Sequence, residues 1–494
     1  MSSDEGATIH PSETADVDGI RVPTGHLIGG RWVGSSATFE SRSPVDGRLL
    51  ARVARGDEDV ARAAVAAAVE GFTAWSTWSA AARAERLRRL ADLIDERNDD
   101  IARVETLDMG FLHRSMRDRL VARGAVNFRT YADLIESTVD ESWSARGTRH
   151  TVELLPGGPA VVITPWNAPF MLVTWKVAPA LAAGNSVVLK PAEWSPLSAA
   201  LLAQLTVEAG FPPGVFNLVQ GIGEEVGAAL VSDPRVRRIS FTGSPETGRH
   251  IAAAAAANLV PFTGELGGKG ALVVCADADL DAAARQATAQ YEDSGQVCLA
   301  GTRLLVERSV VDDFLARFRA LTDAHVMGDP FDDSTTIAPV AHPDHLDHIA
   351  AFVDRARASG DRIVWGGERV VGSQHYAPTL IEPASNDAEI VQREVFGPVL
   401  TIQTFDGDDE AVALANSTPY GLSSIVYTSS DERARSISGR IRAGIVWVNT
   451  FLVRDLLAPF GGCGISGIGR EGGRYALEFH SDIATRIVAD GTTG

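Results

Sequence analysis

The sequence predicts an α/β protein built from two parallel-sheet blocks, with a small β element outside both. Short β-branched runs at Ala160-Val161-Val162-Ile163, Ser186-Val187-Val188-Leu189 and Arg238-Ile239-Ser240-Phe241 are each followed by a turn and a helical stretch. Strands that alternate with helices in this way pair in parallel. The alternation resumes after Gly268 with Ala271-Leu272-Val273-Val274, then Arg303-Leu304-Leu305-Val306, and later Ile445-Val446-Trp447-Val448-Asn449. Two blocks therefore meet near Glu265–Gly270. Residues 137–155 and the run from Phe479 to Val488 read as strands belonging to neither block.

In chain order, the first element is a polar, acidic tail, expected to fray over residues 1–25 until Gly29-Gly30-Arg31-Trp32-Val33 forms a short strand or hairpin. From Asp57 to about Met109 the pattern is helical, with Arg83, Leu87, Leu90, Leu93 and Ile94 at helical spacing. These helices are expected to cover one face of something larger. Residues 137–155 alternate polar and apolar side chains around Arg146-Gly147, as an extended hairpin does. Unpaired strand edges invite association, so this hairpin and the C-terminal strand are expected to mediate oligomerisation by β-augmentation.

Composition narrows the function classes. The 494 residues suit about two to four domains at ~100–200 residues each. Hydrophobic residues at 45% and charged residues at 22% are ordinary for a globular chain. A net charge of −19 repels phosphate backbones, which argues against nucleic acid as a partner. Cys275, Cys298 and Cys463 form no CxxC clip, which disfavours a disulfide scaffold or zinc ribbon and fits a reducing cytoplasm. The N-terminus has no signal-peptide pattern. The most apolar run, Ile251 to Phe262, is shorter than the ~20 residues a membrane helix needs, so no membrane partner is expected.

Several segments carry candidate chemistry. An arbitrary cysteine is most often a small buried hydrophobe. Cys298, however, sits in Ser294-Gly295-Gln296-Val297-Cys298-Leu299-Ala300-Gly301, where glycines permit an unusual backbone. A helix starting near Gln296 would aim amide dipoles at the sulfur and lower the thiol pKa. Glu265, in Thr263-Gly264-Glu265-Leu266-Gly267-Gly268-Lys269, is either a solvated loop residue or a carboxylate free to activate water. Asn167, in Thr164-Pro165-Trp166-Asn167-Ala168-Pro169, either starts a turn or donates its amide to an oxyanion. Lys190 and Glu193 could grip ribose hydroxyls or simply pair with each other. Phe241-Thr242-Gly243-Ser244 opens a helix whose N-terminal amides suit a pyrophosphate.

Two patterns are rejected. Gly467-Ile468-Gly469-Arg470-Glu471-Gly472 matches GxGxxG but lacks the following helix. His342-Pro343-Asp344-His345-Leu346-Asp347-His348 looks like a metal cluster, yet residues three apart drift around a helix and do not enclose one ion. It reads better as a solvated first helical turn, and no metal is expected.

In order, Pro165-Trp166-Asn167, Lys190-Pro191-Ala192-Glu193, Phe241-Thr242-Gly243-Ser244, Glu265-Leu266-Gly267-Gly268-Lys269, Gly295-Gln296-Val297-Cys298, Glu394-Val395-Phe396-Gly397-Pro398 and Pro459-Phe460-Gly461-Gly462 resemble the aldehyde dehydrogenase superfamily from about Gly29 to Val488. Cys298 follows Glu265 by 33 residues. Val453-Arg454-Asp455-Leu456 and Ser466–Gly472 are similar to the muconate semialdehyde dehydrogenase group.

The resemblance implies two Rossmann-like domains: an NAD-binding domain at residues 26–136 and 156–265, and a catalytic domain at 266–474. A β oligomerisation element at 137–155 and 475–490 would assemble a homodimer or homotetramer. It implies that Cys298 attacks an aldehyde, Asn167 steadies the oxyanion, Glu265 activates water and Glu471 relays protons. NAD would lie against Ile163, Thr164, Pro165, Trp166, Lys190, Glu193, Gly223, Gly227, Phe241, Gly243, Ser244, Thr247, Leu266, Gly267, Glu394 and Phe396. Glu193 would repel a 2′-phosphate, favouring NAD over NADP. Arg454, and Arg123 as a second clamp, would hold a substrate carboxylate, the alternative for each being a structural ion pair. The substrate would be a carboxylate-bearing semialdehyde or, alternatively, a neutral or aromatic aldehyde; a non-catalytic member is the remaining possibility. Departures from the family pattern are Gly264 before the glutamate, Gly270-Ala271 after Lys269, Glu292-Asp293-Ser294 leading into the cysteine, and Gly464.

Overall fold

The computed structural model describes residues 14–489. Five parallel strands form the centre of the first sheet, in the order Phe262–Leu266, Arg238–Gly243, Ala160–Ile163, Val187–Lys190 and Phe216–Leu218. Each is short, largely buried and mostly apolar at its centre, as expected of strands covered by helices on both faces. His26–Ile28 and Arg31–Val33 extend one edge antiparallel. The second sheet runs Arg362–Trp365, Thr379–Glu382, Val399–Phe405, Arg303–Glu307, Ala271–Val274, Ser423–Tyr427 and Ile445–Val448, parallel except for its first strand.

Three expectations need correction. Residues 1–13 of the expected tail lie outside the described residues, but 14–25 are ordered. Thr14–Val17 pairs antiparallel with Ile20–Pro23, and Val17 and Val22 are buried beneath the pair. The Asp16 side chain accepts from Gly19 N, whose φ of +84° closes the turn. The segment 266–474 is not confined to the second sheet: Gly467–Ile468 pairs antiparallel with Gly264-Glu265 and edges the first. That crossing places the rejected GxGxxG beside the Glu265 strand. Finally, the C-terminal strand begins at Ser481, because the helix Gly473–Phe479 takes up residues 475–479; residue 490 lies outside the described residues.

The third sheet is antiparallel, with Thr148–Pro156 between Glu141–Ala145 and Ser481–Ala489. Its hairpin turns at Arg146 and Gly147, φ +55° and +73°, the positive pair that a two-residue hairpin turn demands.

Helices Glu58–Trp75, Ala80–Glu96 and Asn98–Met109 realise the Ala- and Leu-rich pattern; Asp57 and Ser79 cap the first two. On the third, Glu105 Oε2 accepts from Phe170 N (2.9 Å), and Asp108 Oδ2 from Leu197 N (2.9 Å). Two buried carboxylates thus cap the helices Pro169–Ala182 and Leu197–Glu208 from outside. The first of these helices starts two residues after Asn167. Met116–Val121 winds as a π-helical turn into the helix Ala122–Ser137, and this stretch supplies one wall of the site. Among the described residues, no helix is long and apolar enough to cross a membrane.

Candidate active site

Two cavities meet between the sheets. One is walled by Phe111, Leu120, Met171 and Phe460 and holds Arg123 and Arg454; the other is an open cleft bordered by Trp166, Ser244, Glu394 and Phe396. The residues common to both are Asn167, Thr242, Glu265, Leu266 and Cys298.

 Asn167 precedes Cys298 by 131 residues. Asn167, Thr242 and Glu265 meet because each lies at or just beyond the C-terminal end of a parallel strand of the first sheet, the edge where α/β sheets place their ligands.

Glu265 is buried on the strand Phe262–Leu266, so the expected loop position is corrected. Neither carboxylate oxygen has a hydrogen-bond partner. Burial pushes its carboxyl well above the ordinary range, and the nearby Glu471 carboxylate adds to this. Glu471 is held firmly: Lys176 Nζ pairs with it, Trp175 Nε1 donates at 2.7 Å and Ser240 Oγ at 3.3 Å. The sequence reading missed Trp175 and Lys176; a single lysine within the apolar run PFMLVTWKVAPALA was the available signal.

Cys298 is half-buried and unbridged. The helix expected near Gln296 is absent: residues 290–295 and 298–299 form turns with an irregular link between them, and Ser294 has φ +50° and Gly295 +65°. Consecutive left-handed residues cannot propagate a right-handed helix. A Cβ on Gly295 would also lie 2.0 Å from Gly397 O, so only glycine permits this close passage. Burial pushes the thiol up to about 12, with Glu394 and Glu265 adding to the shift and Arg454 opposing it. The expected lowering of the thiol pKa is therefore corrected. Asn167 Nδ2 donates to Gln296 O at 2.9 Å and ties the cysteine loop to the first sheet.

Arg454 and Arg123 have no ion-pair partner among the described residues, and Arg454 Nη2 and Arg123 Nε are buried without hydrogen bonds. The Arg454 guanidinium lies over Phe460 (3.8 Å to the ring centre) and Trp175 (4.9 Å). Burial and Arg123 bring its pKa down to about 10. The acidic side chains lining this pocket are Glu265, Glu471 and Asp293, the last 3.6 Å from Arg119; Glu292 is not among them.

Of the expected cofactor contacts, Pro165, Trp166, Gly243, Ser244, Leu266, Gly267, Glu394 and Phe396 border the cleft. Ile163, Thr164, Lys190, Glu193, Gly223, Gly227, Phe241 and Thr247 lie outside its lining. Lys190 Nζ pairs with Glu193 at 3.2 Å, and Ser244 caps the helix Pro245–Ala257 by accepting from Thr247 N. Glu394 Oε1 accepts from Gly268 N at 2.9 Å, and burial pushes its carboxyl up to about 7. The cleft also takes in His345 and His348, which the sequence reading set aside as a solvated turn; His345 is in fact buried. Among the described residues, no group of three or more His, Cys, Asp or Glu could hold a metal ion.

Residues 32–485 match the model of the aldehyde dehydrogenase family. The chain is 40% identical over 477 residues to 2-hydroxymuconic semialdehyde dehydrogenase of Pseudomonas sp. (strain CF600), covering 93% of this chain and 98% of that one. It is 38% identical over 474 residues to betaine aldehyde dehydrogenase of Cereibacter sphaeroides (strain ATCC 17025 / ATH 2.4.3), covering 94% and 97%. A structure of P. syringae indole-3-acetaldehyde dehydrogenase in complex with NAD+ and IAA superposes with a TM-score of 0.93 at 36% identity, covering 95% and 97%. The match over residues 32–485 and the 40% identity across 93% of the chain show that the chain belongs to the aldehyde dehydrogenase family.

Proposed function

We propose that the protein is an NAD-dependent, hydrolytic aldehyde dehydrogenase of the cytoplasm acting on a carboxylate-bearing semialdehyde. The observation that carries the reading is the pair of unpaired guanidiniums, Arg123 and Arg454, in the pocket that opens onto Cys298. Buried charges are normally paired, so two left unpaired favour an anionic ligand. They would repel a quaternary ammonium such as that of betaine aldehyde.

Cys298 Sγ bonds to the aldehyde carbon as its thiol proton passes to Glu265, which lines the same pocket with unpartnered oxygens, and from there onward by way of Glu471. Asn167 has one amide hydrogen on Gln296 O and a second free for the developing oxyanion. Bound nicotinamide supplies the acceptor for the hydride, which leaves a thioester on Cys298. Glu265, with unpartnered oxygens and a raised pKa, takes a proton from the water that cleaves the thioester. Glu471, paired with Lys176, stands next in line to pass that proton on.

The cleft suits the dinucleotide. The amides of the 13-residue helix Pro245–Ala257 open at Ser244, where a pyrophosphate is favoured. A Cβ on Gly267 would come 1.9 Å from a Glu394 oxygen, so the backbone there is bare beside the carboxylate. Glu394 and Phe396 would hold the nicotinamide ribose and ring, and Glu193 would favour NAD over NADP. Trp143, Ile483 and Ile487 share one face of the third sheet, each about half exposed or more, which supports assembly with further copies of the chain.

The test is a panel of acid semialdehydes and neutral or aromatic aldehydes, assayed with NAD and with NADP. The expected result is the highest kcat/KM for an acid semialdehyde with NAD. A higher value for a neutral aromatic aldehyde overturns the substrate class, and NADH binding without turnover of any aldehyde overturns the enzyme reading.

A further inference from the structure

Phe396 has an unusual backbone. Its φ is +58°, a left-handed conformation that side-chain-bearing residues rarely adopt unless their surroundings hold them there. His345, on the helix Pro343–Ala358, reaches the Phe396 carbonyl through Nε2 at 2.7 Å. A carbonyl only accepts, so Nε2 carries the hydrogen and the neutral ring has Nδ1 bare. Burial keeps the imidazole in that neutral form by lowering its pKa to about 4.

The surrounding packing leaves Phe396 and Gly397 little room. The Phe396 ring meets Trp166 edge-on at 5.4 Å, and the His345 ring meets the same indole at 5.0 Å. A Cβ on Gly397 would lie 2.7 Å from Ile349, one helical turn beyond His345. On the other side, the Gly397 carbonyl presses against Gly295 of the cysteine loop. Glu394, two residues earlier, is anchored separately by Gly268 N.

We propose that His345 is a positioning residue for the cofactor cleft: its Nε2–H holds Phe396 in the left-handed conformation that presents the ring to the nicotinamide half of the dinucleotide. This rests on the NAD reading above. The His342–His348 pattern is thereby a brace for one wall of the cleft.

Equilibrium titration with NADH, followed by its fluorescence, tests the assignment without turnover. His345→Phe keeps the aromatic contact with Trp166 and removes the donor. It is expected to weaken NADH binding about ten-fold, or ~1.4 kcal/mol, with the aldehyde KM unchanged. His345→Gln places an amide N–H where Nε2 stood and is expected to stay within about three-fold of the parent protein. If His345→Phe does not fold, His345→Asn, whose amide is too short to reach, replaces it in the comparison. NADH affinity in the donor-less variant matching the parent overturns the proposal, as does equal weakening in His345→Gln. No NADH binding by the parent protein overturns the cofactor reading, and this assignment with it.

Discussion

Replacing Arg454 with leucine should separate anionic from neutral substrates. The guanidinium has no carboxylate partner in the protein and lies against Phe460 and Trp175, so leucine breaks no ion pair and leaves an apolar surface. Losing one member of a buried charge pair costs about 2–5 kcal/mol. With Arg123 still in the pocket, the lower half of that range applies, and about 3 kcal/mol corresponds to roughly a hundred-fold fall in kcat/KM. A neutral aldehyde of the same length should change by less than about three-fold, since it never used the charge. Stability should hold or rise, because burial and Arg123 already disfavour the charged form of Arg454. The assay is initial-rate NADH formation with the acid semialdehyde and its neutral analogue, alongside thermal unfolding. Equal losses on both substrates, or no loss on the acid, would refute the clamp.

Three further outcomes are expected. Glu265→Gln should slow both the first burst of NADH and steady turnover, by about 10²–10⁴-fold; an unchanged burst would confine Glu265 to the hydrolytic step. With the thiol pushed up to about 12, the protonated form dominates at neutral pH and the thiolate fraction grows as pH rises. Alkylation of Cys298 in the cofactor-free protein should therefore keep accelerating through about pH 9, and a plateau below about pH 8 would contradict the raised pKa. Lys176→Met should cost about 3–5 kcal/mol in denaturant unfolding by leaving Glu471 buried and unpaired near Glu265; a loss under about 1 kcal/mol would show the pair is not what holds that carboxylate.

Much of the site was legible because its signals are local. Strand runs such as Val187–Lys190 announce themselves by β-branching, and the glycines around Glu265 and Cys298 mark a backbone that passes close to other chain segments. The Cys298 helix was misjudged for a reason no local pattern carries: Gly397, about a hundred residues on, occupies the space beside Gly295 and forces a left-handed turn. The tail was misjudged because Val17 and Val22 are too few to show periodicity, yet enough to bury a strand pair.

By itself, the sequence determined the α/β class and the family, and it singled out Cys298 and Glu265 as the candidate nucleophile and base, since these depend on residue types in short, ordered motifs. Only the tertiary structure decided their electrostatics. Glu265 lies near Glu471, Arg454 near Arg123, and His345 touches Phe396, all across long stretches of chain. A side chain's pKa and partners depend on burial and on charges that folding brings within a few ångströms, and spacing along the chain does not encode those distances.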